Sequence, residues 1–377
     1  MNFIKQVEDG RLGLNKGVPG GLPAFDKAMF NTQHGKIIGL VGGAKAGKTA
    51  MLIQRYIVYP FLAGENIKWI WYSLEMSRNQ IIARLTSIFA DIHSRKEWKE
   101  GTGEKRFRIP ESRILGLGDD VLDDEEFEYV KKIHSLYIEP LMGVQDEHGN
   151  LISRGRIDFI EDFSESNPTG INKYLTEIAK EYGEYRYDTF KTKDSVTGEY
   201  VTRKRIIGYE PKDDTKIWVI IDHLGLMKKE QGHNPKENID KMINEYAKTL
   251  RNTCKFTFIL VSQLNRGIKG VDRMKLTGEQ LQPQTEDIKE SGALEETADI
   301  ILALFNPNTV VHLNKHLGYD LKDFNMGYRS IHVIASRYTP CPINKSLFFI
   351  ANTGRFIELY DPGSRELRDQ VAEIKRL

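Results

Sequence analysis

The chain has 377 residues, 40% hydrophobic and 28% charged, which is an ordinary composition for a globular protein with a substantial core. Its net charge of +1 excludes nucleic-acid binding by bulk charge, so any basic surface must be local. Cys254 and Cys341 stand far apart in no metal-ligand spacing, and they read as two buried thiols of a reducing compartment. The first residues contain no signal-peptide run. No stretch reaches the ~20 apolar residues of a membrane span.

Residues 1–20 are polar and glycine-rich, and they read as an extended arm. A short helix is expected over Leu22–Phe30, followed by a strand over Lys36–Val41. Then comes Gly42-Gly43-Ala44-Lys45-Ala46-Gly47-Lys48-Thr49, which fits G-x-x-x-x-G-K-[ST] at every fixed position. Helical spacing follows over Ala50–Val58 and stops near Pro60. Strand, glycine loop and helix together predict a phosphate cradle. Residues 42–50 supply backbone N–H groups, and the helix N-terminus adds about half a positive charge. Lys48 would reach the β- and γ-phosphates of a nucleotide, and the Thr49 hydroxyl would hold Mg²⁺.

Ile67–Leu74 is a second strand rich in aromatic and β-branched residues. Glu75 follows it, then Ser77 as an N-cap with Gln80 as capping-box partner, opening a helix over Arg78–Ala90. At the ligand edge of an α/β sheet Glu75 is placed to polarise an attacking water; otherwise it is a surface glutamate. Residues 93–215 form a looser stretch. A helix is expected over Asp123–Leu136 and another over Ile171–Tyr182, opened by Asn167-Pro168-Thr169. Two hairpins are expected, Leu141–Phe163 turning at Glu147-His148-Gly149-Asn150 and Tyr187–Ile207 turning at Val196-Thr197-Gly198.

The core resumes with a strand over Lys216–Asp222. Asp222 holds Mg²⁺ through water, orients Thr49, or caps the next turn. A long helix is expected over Lys236–Asn252 and a strand over Phe256–Ser262, ending in Gln263. That residue suits sensing of a γ-phosphate or is a structural amide. The glycine-bearing loop Asn265–Thr285 carries Arg266, Lys269, Arg273 and Lys275, which either grip a phosphodiester backbone or are simply solvated. Further strands are read at Asp299–Phe305, Arg329–Arg337 and Ser346–Ile350, with a hairpin turn at residues 352–355. The tail Ser364–Leu377 alternates charges at helical spacing.

Taken as a set, these motifs resemble the C-terminal RecA-like motor domain of DnaB-type replicative helicases, over about Gly17 to Leu359. The carriers are Ser73-Leu74-Glu75-Met76 with Gln80 and Arg84, Ile221-Asp222-His223-Leu224-Gly225-Leu226-Met227, Ser262-Gln263-Leu264-Asn265-Arg266, and Lys289-Glu290-Ser291-Gly292-Ala293-Leu294-Glu295 with Ala298-Asp299. All occur in family order. The resemblance implies a P-loop NTPase of α/β class, its mainly parallel sheet flanked by helices. This motor domain would span residues 21–361, with a hairpin-bearing insertion at about 93–215, between the 1–20 arm and a 362–377 tail.

By the same resemblance ATP and Mg²⁺ are the cofactors, Glu75 is the catalytic base and Asp222 the magnesium aspartate. Gln263 couples nucleotide state to the following segment, which lines a channel holding single-stranded DNA. The nucleotide sits between subunits of a homo-oligomeric, hexameric ring moving 5′ to 3′. A neighbour supplies an arginine finger, here Arg337, and the family's companion lysine position holds Ala335. A primase or helicase loader is the implied partner. The implied location is a bacterial cytoplasm, with the gene belonging to the bacterium or to a phage. A RecA-type recombinase, loader or regulatory ATPase without unwinding is the alternative.

Overall fold

The computed structural model describes residues 3–148, 150–161, 165–193, 198–269, 273, 275, 277–289 and 292–376. The parts of predicted motifs at Gly149, Phe163, Val196-Thr197 and Glu290-Ser291 lie outside the described residues.

In chain order the strands are β1 (Ile37–Gly42), β2 (Ile67–Ser73), β3 (Val144–Gln145), β4 (Leu151–Ser153), β5 (Ile157–Ile160), β6 (Gly183–Lys193), β7 (Tyr200–Pro211) and β8 (Lys216–Asp222). They continue with β9 (Thr257–Gln263), β10 (Ile300–Phe305), β11 (Lys315–His316), β12 (Tyr319–Asp320), β13 (Tyr328–Ser336), β14 (Ile343–Ile350) and β15 (Arg355–Glu358). Nine of them form one sheet in the order β15-β14-β13-β10-β1-β9-β8-β2-β5. From β10 to β5 every pairing is parallel, whereas β13, β14 and β15 add an antiparallel margin. Strands β1, β2 and β10 are buried along their whole length, which explains why they read as continuous apolar runs rather than alternating ones.

Helices cover both faces. One apolar core gathers Met51, Ile57, Leu85 and Phe89 under Leu40, Trp71 and Trp218. The other gathers Ile171, Leu175, Ile243 and Leu250 under Val41, Ile221 and Leu260. This is the doubly covered, mainly parallel sheet of a RecA-like fold.

Several elements depart from the sequence reading. Residues Phe3–Arg11 form a helix rather than an extended arm, with Phe3 and Val7 one helical turn apart and both exposed. The helix after the glycine loop passes through Pro60, by a π turn over Gln54–Val58 followed by Tyr59–Leu62. The same device recurs at Pro140, where a π turn over His134–Ile138 precedes Glu139–Met142. Widening the turn relieves the clash of a proline ring with the preceding carbonyl, so neither proline ends its helix. The Arg78 helix runs on to Glu100 and ends at Gly101, whose φ of 72° favours glycine.

Leu141–Phe163 is not one hairpin. A small β3–β4 ladder occupies its first half, and β5 then joins the main sheet parallel to β2. The 93–215 stretch therefore supplies the edge strand of the core as well as decoration. Cys254 is buried as expected, but Cys341 is exposed. No helix among the described residues is long and apolar enough to cross a membrane.

Candidate nucleotide site

Four adjacent strands end at one edge of the sheet. Gly42 of β1 pairs with Gln263 of β9, and Ser73 of β2 pairs with Asp222 of β8. The chain reverses at each of these ends, so the glycine loop, Gln263, Asp222 and Glu75 all emerge at the carboxyl edge where ligands of open α/β sheets bind. The backbone N–H of Leu74 donates to the Asp222 carbonyl at 2.8 Å, tying the β2 and β8 ends together.

The cradle is shaped by close contacts. Gly47 has φ 100°, and a Cβ there would stand 2.8 Å from the Phe356 ring. A Cβ on Gly42 would meet the Leu304 carbonyl oxygen at 2.8 Å. Phe356 itself is clamped by Gln54, which accepts from its N–H at 2.7 Å and donates to its carbonyl at 3.1 Å. Arg329, buried with no acidic partner among the described residues, donates from Nε to the Ala46 carbonyl at 3.2 Å. Burial pushes its guanidinium down to about 10. Its other bonds go to the Met326 and Tyr328 carbonyls. The loop carrying Gly43, Ala44, Lys45 and Ala46 is thus pinned from beneath by an arginine that carries no sequence motif.

A cavity of about 340 Å³ opens above the loop, lined by Lys45, Gly47, Lys48, Thr49, Ala50, Glu75, Arg84, Glu111 and the Asn352-Thr353-Gly354 turn. Lys48 folds its ammonium onto the Gly42 and Gly43 carbonyls, each at 3.1 Å. Burial pulls its pKa down, opposed by Asp222 and Glu75. Thr49 donates from Oγ1 to Asp222 Oδ2 at 3.1 Å, while Asp222 Oδ1 is buried with no hydrogen-bond partner among the described residues. Burial pushes the Asp222 carboxyl up to about 6, against the Thr49 hydrogen bond, and Glu75 raises it further.

A lone buried carboxylate oxygen beside a threonine hydroxyl fits the donor set for Mg²⁺, which takes one or two protein ligands and fills the rest with water and phosphate. Thr49 and Asp222 would hold the ion and Lys48 would hold the phosphates. The ion's chemistry would be to neutralise charge developing on the transferred phosphoryl group.

Asp222→Asn supplies a test of this electrostatic picture. The folded-state pKa of about 6 lies above the ordinary aspartate value of 3.8, so ionised Asp222 opposes folding. The penalty is absent below pH 4, grows between 4 and 6 and is complete above 6. It amounts to about 3 kcal/mol at neutral pH. Without nucleotide or magnesium, Asp222→Asn is expected to raise the melting temperature at pH 7.5 and leave it nearly unchanged at pH 4. Magnesium-dependent stabilisation by nucleotide should disappear. A melting temperature matching the wild type's at both pH values would contradict it.

The remaining predicted residues divide. Gln263 is half-buried at the end of β9 and does not line the cavity; its amide lies 3.4 Å from His223 Nε2. Its carbonyl accepts from the Lys289 N–H at 2.8 Å, and Asn265 donates to the Asp287 carbonyl at 2.6 Å, so the end of β9 and the residue after it are bonded to the far end of the loop. In that loop Arg273 is turned inward. It is ion-paired with buried Asp287 and donates to the Gln282 carbonyl at 2.9 Å. These bonds tie parts of the loop together, whereas Lys275 is exposed. The backbone of Arg266 and Lys269 lies in one short 3-10 turn.

Arg337 does not join the cavity. It follows β13 at the opposite edge of the sheet, its N–H on the Asp299 carbonyl at 2.9 Å and its exposed guanidinium on the Glu296 carbonyl at 2.5 Å. About 17 Å of strand separates the two edges. Ala335 packs against the second core opposite Ile301.

Three contributors carried no local signal in the sequence: Glu111 accepts from Arg84 Nε at 2.8 Å, Arg329 supports the loop, and the Phe356 ring packs against Gly47. The 352–354 turn, legible in the sequence only as a hairpin turn, forms one wall of the cavity. Arg84 alone stood inside a recognisable motif.

Residues 187–357 match the DnaB-like helicase C terminal domain family. No curated protein matches the chain in sequence. Among solved structures, "The Structure Of A DnaB-Like Replicative Helicase And Its Interactions With Primase" shares 16% identity over 91% of this chain, with a TM-score of 0.57. This chain spans only 64% of that protein's length. A second solved structure, of an isolated ATPase domain, shares 17% identity, covers 95% of this chain and 97% of its own, and gives a TM-score of 0.59. At such identities these two likenesses bear on the fold, and both agree with the RecA-like sheet described above.

Proposed function

We propose that this chain, which carries a DnaB-like helicase C-terminal domain over residues 187–357, is an ATP-driven, ring-forming helicase that moves along single-stranded DNA. The observation that carries the reading is the single cavity shared by Lys48, Thr49 and Glu75, with the unpartnered Asp222 oxygen buried beside it. A nucleotide–magnesium complex held there by Lys48, Thr49 and Asp222 would neutralise Lys48 and Asp222 together. Glu75 is left to take a proton from water attacking the γ-phosphate. Gln263, bonded through its backbone to the loop after β9, passes the change to Lys275 and its neighbours on DNA.

The site on this reading is shared with a neighbouring subunit of a hexamer, which adds Arg337. Movement is 5′ to 3′, as the family implies. Residues 21–361 form the motor, with the 93–215 insertion, between the 1–20 arm and the 362–377 tail. A primase or loader is the expected partner, in a bacterial cytoplasm. Ala335, at the position of the family's companion lysine, favours one second reading, a DNA-stimulated ATPase that assembles without unwinding.

The test is ATP hydrolysis with and without single-stranded DNA, beside Lys48→Ala, followed by strand separation on a forked duplex. Stimulation that the variant abolishes, together with unwinding, is the expected result. Stimulation without unwinding selects the second reading, and hydrolysis indifferent to DNA overturns both.

A further inference from the structure

Among the described residues, strands β6 and β7 pair only with each other and form a long two-stranded ribbon. Its base is anchored. Tyr209 donates to the Ala179 carbonyl at 2.7 Å, the Cys254 thiol lies 3.5 Å from the Tyr185 hydroxyl, and the two tyrosine rings meet edge to face at 5.5 Å. A Cβ on Gly183 would stand 2.4 Å from the Tyr209 ring, so the base closes tightly. Beyond Tyr187 and Ile206 the ladder continues to Lys193 and Tyr200, about 20 Å farther.

Directly opposed residues of an antiparallel pair share a face. The pairs Tyr187–Ile206, Thr189–Lys204, Lys191–Thr202 and Lys193–Tyr200 therefore present one surface. It holds three lysines, two tyrosines and no carboxylate. All eight residues are exposed, Tyr200 by 75%. No ion pair to any of these lysines occurs among the described residues. The opposite face is compensated, because Arg186 pairs with Glu210, and Arg205 pairs with Asp188 at 2.8 Å and lies over the Phe190 ring. On a chain of net charge +1, one ribbon face thus concentrates cations and aromatic rings, one lysine at each of three successive side-chain levels spaced about 7 Å apart.

We propose that this face binds an extended single strand of nucleic acid, the lysines meeting phosphates and Tyr187 and Tyr200 stacking on bases. The ribbon leads into the amino end of β8, so it leaves the sheet at the edge opposite Asp222 and the loop after β9. It is a second contact, separate from that loop, and it requires neither hydrolysis nor a ring.

Fluorescence anisotropy of labelled oligothymidylate against salt, using the full chain, tests it. The triple variant K191Q/K193Q/K204Q is expected to bind about tenfold or more weakly at low salt, with the slope of log affinity against log salt shallower by about 2, from ~0.7 per lost phosphate contact. Tyr200→Ala should weaken binding roughly tenfold and leave the slope unchanged, since stacking releases no counterions. The opposite-face variant R186Q/R205Q should match the wild type.

An unchanged slope in the triple variant overturns the proposal and leaves the motor reading standing. Equal loss in the opposite-face variant overturns the face-specific claim. Failure of the wild type to bind oligothymidylate overturns both readings.

Discussion

Glu75→Gln is expected to lower the rate of ATP hydrolysis by about 10²–10⁴-fold, the range of a positioned general base, while nucleotide and magnesium still bind. The carboxylate is exposed into the cavity and makes no hydrogen bond or ion pair among the described residues, so substitution by the isosteric amide disturbs no structural partner. Its field nonetheless reaches the site, raising the pKa of both Lys48 and Asp222. Removing that charge lets Asp222 ionise more readily, so magnesium-dependent nucleotide affinity should hold or rise as turnover falls. Equilibrium binding of a fluorescent nucleotide, measured beside steady-state hydrolysis, separates the two effects. Hydrolysis within tenfold of the wild type would mean that the water is activated by another group. Loss of nucleotide binding would recast Glu75 as a structural residue.

The contrast between Glu75 and Arg329 shows which parts of the site the sequence disclosed. Glu75, Asp222 and Gln263 each end an apolar run, and buried parallel strands advertise their ends because both faces are covered and the run stops where the edge meets solvent. The glycine loop announces itself through backbone geometry that few residue types satisfy. Arg329, Glu111 and Phe356 follow no such rule, because each reaches the site through long-range packing against residues distant in the chain.

The 141–163 segment failed for a related reason. Four residues, Ile157–Ile160, carry too little pattern to separate a hairpin arm from the edge strand of a parallel sheet, and pairing with Trp69–Tyr72 decided the matter. Arg273 marks a different boundary. A cation in a glycine-bearing loop looks like a ligand-binding residue in sequence, yet Asp287 lies fourteen positions on and takes its charge.

Arg337→Ala carries the largest expected loss, about 10³–10⁵-fold in turnover, or ~4–7 kcal/mol of transition-state stabilisation. The argument rests on position. Arg337 stands at the far edge of the sheet from Lys48 and Thr49, exposed and held by the Asp299 and Glu296 carbonyls rather than by a carboxylate. It cannot serve the cavity of its own subunit, so any contribution to hydrolysis comes from a neighbour. That makes complementation the decisive measurement. Arg337→Ala and Lys48→Ala should each be nearly inactive alone. Mixed in equal amounts before assembly, they should recover hydrolysis in about a quarter of sites, those pairing an intact Lys48 with a neighbour's intact Arg337. If both residues acted within one subunit, no mixture would regain activity. Recovery would also show that Ala335, half-buried against the second core, does not prevent the finger from working.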